Sequence, residues 1–156
     1  MKRRYTLNEG ANVMAAINPY LNFAGNTEEA FIFYRSVFGG EFLAVMRFRD
    51  TPEAGNIPES EKNKIMHIAL PIGKGNVLMA TDALESMGHR LTAGNNFSIS
   101  IQPDSKPEAE RLFNALSAGG KVGMPLEKAF WGAYFGMFTD RFGIQWMVNY
   151  DESPQR

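Results

Sequence analysis

The sequence holds two histidines and no cysteine, so any chemistry it performs must proceed without a thiol. His67 sits in the alternating run KIMHIAL (64–70), with Met66, Ile68 and Leu70 on one parity and His67 on the other. An imidazole on the non-apolar face suits acid/base catalysis or ligand contact, and a buried histidine satisfied by a neighbour fits the pattern equally well. His89 falls in the polar stretch ALESMGHRLTAGNN (83–96) and is expected to be solvated. Arg47, in AVMRFRD, could grip an anionic substrate with its planar fork, although a salt bridge near a strand end is the simpler assignment. Glu127 beside KAFWG is a possible base, but loop carboxylates are usually only solvated. Asp82 and Asp140 end matched strands and are expected to organise turns.

Several chemistries are excluded. Without cysteine there is no disulfide, thiolate ligand or thiol nucleophile. No G-x-S-x-G elbow supports a serine hydrolase, and no phosphate-binding glycine loop or dinucleotide fingerprint is present. Sixteen basic and 17 acidic residues give a formal charge of -1, with no basic stripe for nucleic acid and no polybasic run for a membrane surface. No apolar run approaches the roughly 18 residues of a membrane span, and MKRRYTLNEGANV lacks the apolar core of a signal peptide. These features predict a soluble, cytoplasmic chain whose partners are small molecules or protein.

The elements that must position these residues come as a repeat. INPYLNFAGNTEEAFIFYRSVFGG (17–40) and FSISIQPDSKPEAERLFNALSAGG (97–120) both open with alternation, switch to helical period and end in a glycine pair. A constant offset of 80 residues (17 to 97) places Ile17, Leu21 and Phe33 on Phe97, Ile101 and Phe113. Asn26 with Glu29, and Ser105 with Glu108, have the spacing of capping boxes. Ala30, Phe31, Tyr34, Val37 and Phe38 form one apolar stripe, and Ala109, Leu112, Phe113 and Leu116 the other, so each helix should pack on a sheet. Strands are predicted over 41–48, 64–70 and 76–82 after the first helix, and over 121–126, 133–140 and 144–148 after the second. Turn signals at Gly73 to Gly75 and Asp140 to Gly143 make the last two strands of each unit a hairpin. The polar segment 49–63 reads as a mobile loop.

The fold class is therefore α+β: two β-α-β-β-β modules. Residues 1–13 are expected to be a flexible leader, 14–150 a single domain (module one 14–82, linker 83–95, module two 96–150) and 151–156 a tail. In this arrangement the chain resembles the vicinal oxygen chelate superfamily, which includes glyoxalase I, extradiol dioxygenases and the bleomycin and fosfomycin resistance proteins. NPYLNFAGNTEEAFIFY, FGGE (38–41), MHIALPI, LMATD and FWGAYFGMFTDRFGIQWMVN resemble its PhnB-like subgroup. The resemblance implies curved mixed sheets around a cleft, commonly completed by dimerisation. It also implies a divalent metal held by four side chains, one from the first and one from the last strand of each module.

Strand parity turns Ile17, Pro19, Leu21 and Phe23 toward the helices and leaves Asn18, Tyr20 and Asn22 toward the cleft, with Ser98, Ser100 and Gln102 as repeat mates. Gln145 and Met147 take the cleft side of the last strand, and Trp146 the helix side. Met147 and Met79 stand where metal-using relatives carry glutamates, alongside Asn18 and Ser98, and thioether with neutral amide or hydroxyl is a poor ligand set. The usual metal is thus not expected, although a divalent ion at a displaced site stays open. Trp131 and Phe135 suit the aromatic wall of an adaptable pocket, although core or dimer packing is the simpler assignment for most of the aromatic residues here. The site expected is Asn18, Tyr20, Asn22, Arg47, His67, Met79, Ser98, Ser100, Trp131, Phe135, Gln145 and Met147. It would bind an apolar or aromatic small molecule in a homodimer without a cofactor. The alternative is a metal-dependent or His67-dependent lyase or isomerase. Members of the subgroup are sometimes named demethylubiquinone methyltransferases, but no glycine-rich strand-to-helix loop or ribose-binding acid is apparent here.

Overall fold

Alternation and glycine punctuation resolve into two β-α-β-β-β units in a computed structural model that describes residues 15–152. The expected leader and the end of the expected tail lie outside the described residues. Module one comprises β1 (Tyr20–Phe23), α1 (Thr27–Phe38), β2 (Ala44–Arg47), β3 (Ile65–Ile72) and β4 (Asn76–Asp82). Module two repeats the order with β5 (Ile99–Ile101), α2 (Lys106–Ser117), β6 (Lys121–Lys128), β7 (Ala133–Thr139) and β8 (Gln145–Asp151). Each forms a four-stranded mixed sheet, ordered β1-β4-β3-β2 and β5-β8-β7-β6. The first strand of each module lies parallel to the last, and the other pairs are antiparallel. The predicted first strands contract at their start, leaving Ile17 84% exposed rather than packed on a helix.

The two helices begin differently. Ser105 is extended (φ -149, ψ 159) and its Oγ accepts from the Glu108 N–H at 3.2 Å, as its spacing predicts, while the Glu108 carboxylate turns to Arg111 instead of closing the box. Asn26 (φ -117, ψ 25) lacks the extended cap conformation and makes no side-chain cap bond. Asp82, at the end of β4, takes its place. Its Oδ1 accepts from Gly25 N (3.1 Å), Thr27 N (3.1 Å) and Thr27 Oγ1 (2.6 Å), and its Oδ2 from Ile65 N (2.8 Å). A carboxylate there also complements the positive end of the helix dipole.

Both helices present their apolar stripes to one shared core. Ala30, Phe31, Tyr34 and Val37 of α1 join Ala109, Leu112, Phe113 and Leu116 of α2, with the buried faces of both sheets around them. The modules are tied at Asp140, which is 3% exposed. Its Oδ2 accepts from the Tyr34 hydroxyl (2.5 Å) and the Trp146 indole N–H (2.8 Å), and its Oδ1 from Phe142 N (2.8 Å) and Ile144 N (3.0 Å). Burial, followed by the charge of Asp140, pushes the Tyr34 phenol far above its ordinary range, so it stays neutral and donates. Gly120, just after α2, admits no side chain: a Cβ would lie 2.1 Å from the Thr139 carbonyl oxygen.

The parity of β3 breaks where β2 pairs with it. Met46 faces His67 but Arg47 faces Ile65, so Met66 is bulged out of the ladder. Ile65 therefore enters the main core, and Met66, expected beside Ile68 and Leu70, packs instead on a second cluster of Phe48, Ile57 and Leu84. That cluster anchors the 49–63 segment, which is built of short 3-10 turns at Phe48–Asp50, Pro52–Asn56 and Glu59–Glu61. Among the described residues no helix is long and apolar enough to cross a membrane.

Candidate functional site

Because the helix-side faces of both sheets are sealed in the core, the opposite faces are left for chemistry. On the first sheet, register aligns Tyr20 of β1 with Met79 of β4, then Ala69 of β3 and Ala44 of β2. Residues directly across a ladder share a face, so Asn22, Thr81, His67 and Met46 lie on that same side. Tyr20 and His67 meet over the intervening β4. The phenol oxygen is 3.1 Å from His67 Nδ1 and the rings stack with centroids 5.8 Å apart. Desolvation holds the Tyr20 phenol above its ordinary range, so it stays a neutral hydroxyl that donates to Nδ1 or accepts from it according to the imidazole tautomer.

The second sheet offers a different surface at equivalent positions. Ser100 of β5, Met147 of β8, Met137 of β7 and Met124 of β6 form one row across all four strands. Phe135 pairs with Asn149 on the same face, and Trp131 meets Phe135 edge-on at 5.6 Å. The Asn149 side-chain oxygen is buried without a hydrogen-bond donor. Asn149 and Thr81 are site-face residues that the sequence reading passed over, and continuing the alternation beyond Val148 and Ala80 would have found both. Both faces stay largely open among the described residues: Tyr20 is 46%, Met124 48% and Trp131 47% exposed.

Three of the expected site residues are engaged elsewhere. Asn18 Oδ1 accepts from Val77 N (2.8 Å), and Gln145 Nε2 donates to the Phe97 carbonyl (2.9 Å). These matched bonds staple the first strand of each module to its last. Arg47 lies on the helix side, forking onto both carboxylate oxygens of Glu28 (3.2 and 2.5 Å) and reaching the Asn63 carbonyl at 2.8 Å. The guanidinium holds the Glu28 carboxyl below the usual carboxylate range, but both partners are part-exposed and the pair adds little stability. A cavity of about 220 Å³ beside it, lined by Glu28, Arg47, Lys64 and Asp82, is separate from the sheet faces.

A divalent ion does not suit the positions where the resemblance implies one. Met79 and Met147 bring thioethers, Ser98 a hydroxyl, and Asn18 an oxygen already accepting from the backbone; a hard or borderline ion wants carboxylate or imidazole. Among the described residues no three His, Cys, Asp or Glu side chains converge.

Comparison with known proteins places this geometry among relatives. The family model described as 3-demethylubiquinone-9 3-methyltransferase matches residues 15–149. The crystal structure of protein PA1353 from Pseudomonas aeruginosa is 48% identical, with a TM-score of 0.77, over 88% of this chain and 98% of that one. The PhnB protein of Bacillus cereus is 25% identical, with a TM-score of 0.70, over 87% and 99% of the two chains. A glyoxalase/bleomycin resistance protein/dioxygenase family enzyme from Burkholderia phytofirmans shares the fold at 20% identity and a TM-score of 0.57, over 86% and 98%.

Proposed function

The chain belongs to the family described as 3-demethylubiquinone-9 3-methyltransferase, a PhnB-like branch of the glyoxalase/bleomycin resistance/dioxygenase superfamily, and on that footing we propose that it binds a small apolar or aromatic molecule without a metal ion. The observation that carries this reading is the composition of the two open faces. Tyr20, His67 and Met79 on one, and Met147, Phe135 and Trp131 on the other, can stack, pack and hydrogen-bond but form no ligand set. Methionine and aromatic walls adapt to varied apolar shapes.

Methyl transfer, which the family description names, is not part of the proposal. A nucleoside cofactor would need free backbone donors between the first strand and helix. The Gly25 and Thr27 N–H groups there are both spent on Asp82.

The protein acts as a cytoplasmic homodimer in this reading, in keeping with a chain that carries no cysteine. Each face is one wall of a site, and a second copy would set the polar wall of one protomer against the methionine and aromatic wall of the other. Met46 and Met124 on the open faces, with Phe130 at the rim, are large apolar side chains more than 40% exposed in the single chain, the mark of an association surface.

The test combines three measurements on purified protein. Sedimentation is expected to give twice the chain mass. Metal analysis is expected to find no stoichiometric zinc, nickel or manganese. Thermal shifts across a metabolite panel are expected to reveal stabilising ligands whose effect does not change with added divalent ions, since binding only the native state raises stability. Tightly held stoichiometric metal would sink the reading.

A second reading, a lyase or isomerase, is favoured by one observation, the Tyr20 to His67 hydrogen bond. Turnover of a panel compound that disappears in His67→Gln would support it over simple binding.

A further inference from the structure

The linker between the modules folds back onto the open face of the first sheet. Leu84 is buried beside Phe48 and Ile57. Its carbonyl accepts from Met87 N (3.2 Å) and His89 N (3.0 Å), and its own N–H donates to His89 Nδ1 (3.4 Å). His89 is exposed, as a solvated side chain should be, and its ring also closes this turn. The turn sets His89, Arg90, Leu91 and Thr92 against Asn22 and Thr81 around an open cavity of about 520 Å³.

Two facts give this cavity a chemical character. Arg90 is the one permanently charged side chain lining it. It is also the one arginine among the described residues with no ion pair, hydrogen bond or ring contact. Arg47, Arg49 and Arg111 pair with Glu28, Glu59 and Glu108, while Arg35 and Arg141 lie over Phe42 and Phe33. A guanidinium left over, beside the Asn22 amide and a Thr81 hydroxyl held only by long 3.4 Å bonds to the Ile65 and Asp82 carbonyls, is a receptor for a planar anion that can recruit that hydroxyl. With Nδ1 accepting from Leu84, the neutral His89 ring keeps its proton on Nε2 as a further donor. A single fixed positive charge matches a monoanion better than a phosphate dianion.

Asn22 and Thr81 are register partners, two residues along their strands from the partners Tyr20 and Met79, a step of roughly 7 Å. We propose that the cavity is a carboxylate subsite: Arg90, with Asn22 and Thr81, takes the acidic end of a ligand whose aromatic or apolar body lies over Tyr20 and Met79. The subsite rests on the small-molecule reading above and narrows its ligand class to aromatic or aliphatic carboxylic acids.

Titration of the isotope-labelled protein with benzoate, phenylacetate and 2-naphthoate, each beside its neutral carboxamide, tests it by amide chemical shifts. The acids are expected to bind about tenfold more tightly than the amides, the scale of one charge-assisted pair, and to shift the Asn22 and Thr81 signals. Arg90→Gln should abolish the preference and Arg90→Lys retain part of it; neither change removes a contact that the fold uses. Equal binding of acid and amide, or a preference that survives in Arg90→Gln, overturns the subsite while leaving the small-molecule reading intact. If neither series moves the signals of Tyr20, His67 or Met79, both fall together.

Discussion

Asp140→Ala is expected to destabilise the protein by about 3–5 kcal/mol, the sum of leaving two buried side-chain donors unsatisfied at about 1–3 kcal/mol each and of loosening two backbone amides. At this chain length that lowers the melting temperature by roughly 10–15 °C. The substitution leaves the Tyr34 hydroxyl and Trp146 indole N–H without an acceptor inside the core, and frees the Phe142 and Ile144 amides that hold the β7–β8 turn. Asp140→Asn keeps one carbonyl oxygen for two of these donors and should lose about half as much. Urea unfolding followed by the near-ultraviolet circular dichroism of Trp146 measures both. A loss below about 1 kcal/mol for Asp140→Ala would show that water replaces the carboxylate and that this residue does not join the modules.

The second large effect is expected at Asp82. Asp82→Ala removes the acceptor for three backbone amides and the Thr27 hydroxyl, at a cost of about 2–4 kcal/mol. The smaller figure follows from the donors left behind: the Thr27 hydroxyl can rotate toward another acceptor and water can reach the part-buried Gly25 amide, whereas the donors stripped at Asp140 sit on the large rings of Tyr34 and Trp146 packed in the core. Location distinguishes the two variants as well as size. In Asp82→Ala, amide hydrogen exchange should speed up at Thr27 and Ile65 while the amides of α2 remain protected. Uniform acceleration over the whole chain would mean that Asp82 acts on global stability rather than as the cap of α1.

Features with a short sequence period were legible before any coordinates. Alternation placed Tyr20, Met79 and Met147 on the open faces, helical spacing identified both buried stripes, and the glycine pairs marked where each helix ends. Contacts between residues far apart in the chain were not. The cap of α1 comes from a residue 55 positions away from Thr27, so the local Asn26 to Glu29 spacing was misleading. The bond that unites the modules spans 106 positions. The bulge at Met66 is set by the pairing of β3 with β2, which residue order alone does not reveal. Ile57 and Leu84, each an isolated apolar residue in a polar stretch, gave no periodic signal of the cluster they build with Phe48.

Confining the core to the helix side of both sheets separates two kinds of tolerance to substitution. Trp146, Tyr34 and Gly120 lie where almost any replacement disturbs packing. Tyr20, Met46, Met124 and Trp131 project from the other side of the same sheets or from their rim. A protein engineer could therefore randomise the open faces as one does the loops of a binding scaffold, asking new molecular shapes of them while the duplicated helices keep the chain folded.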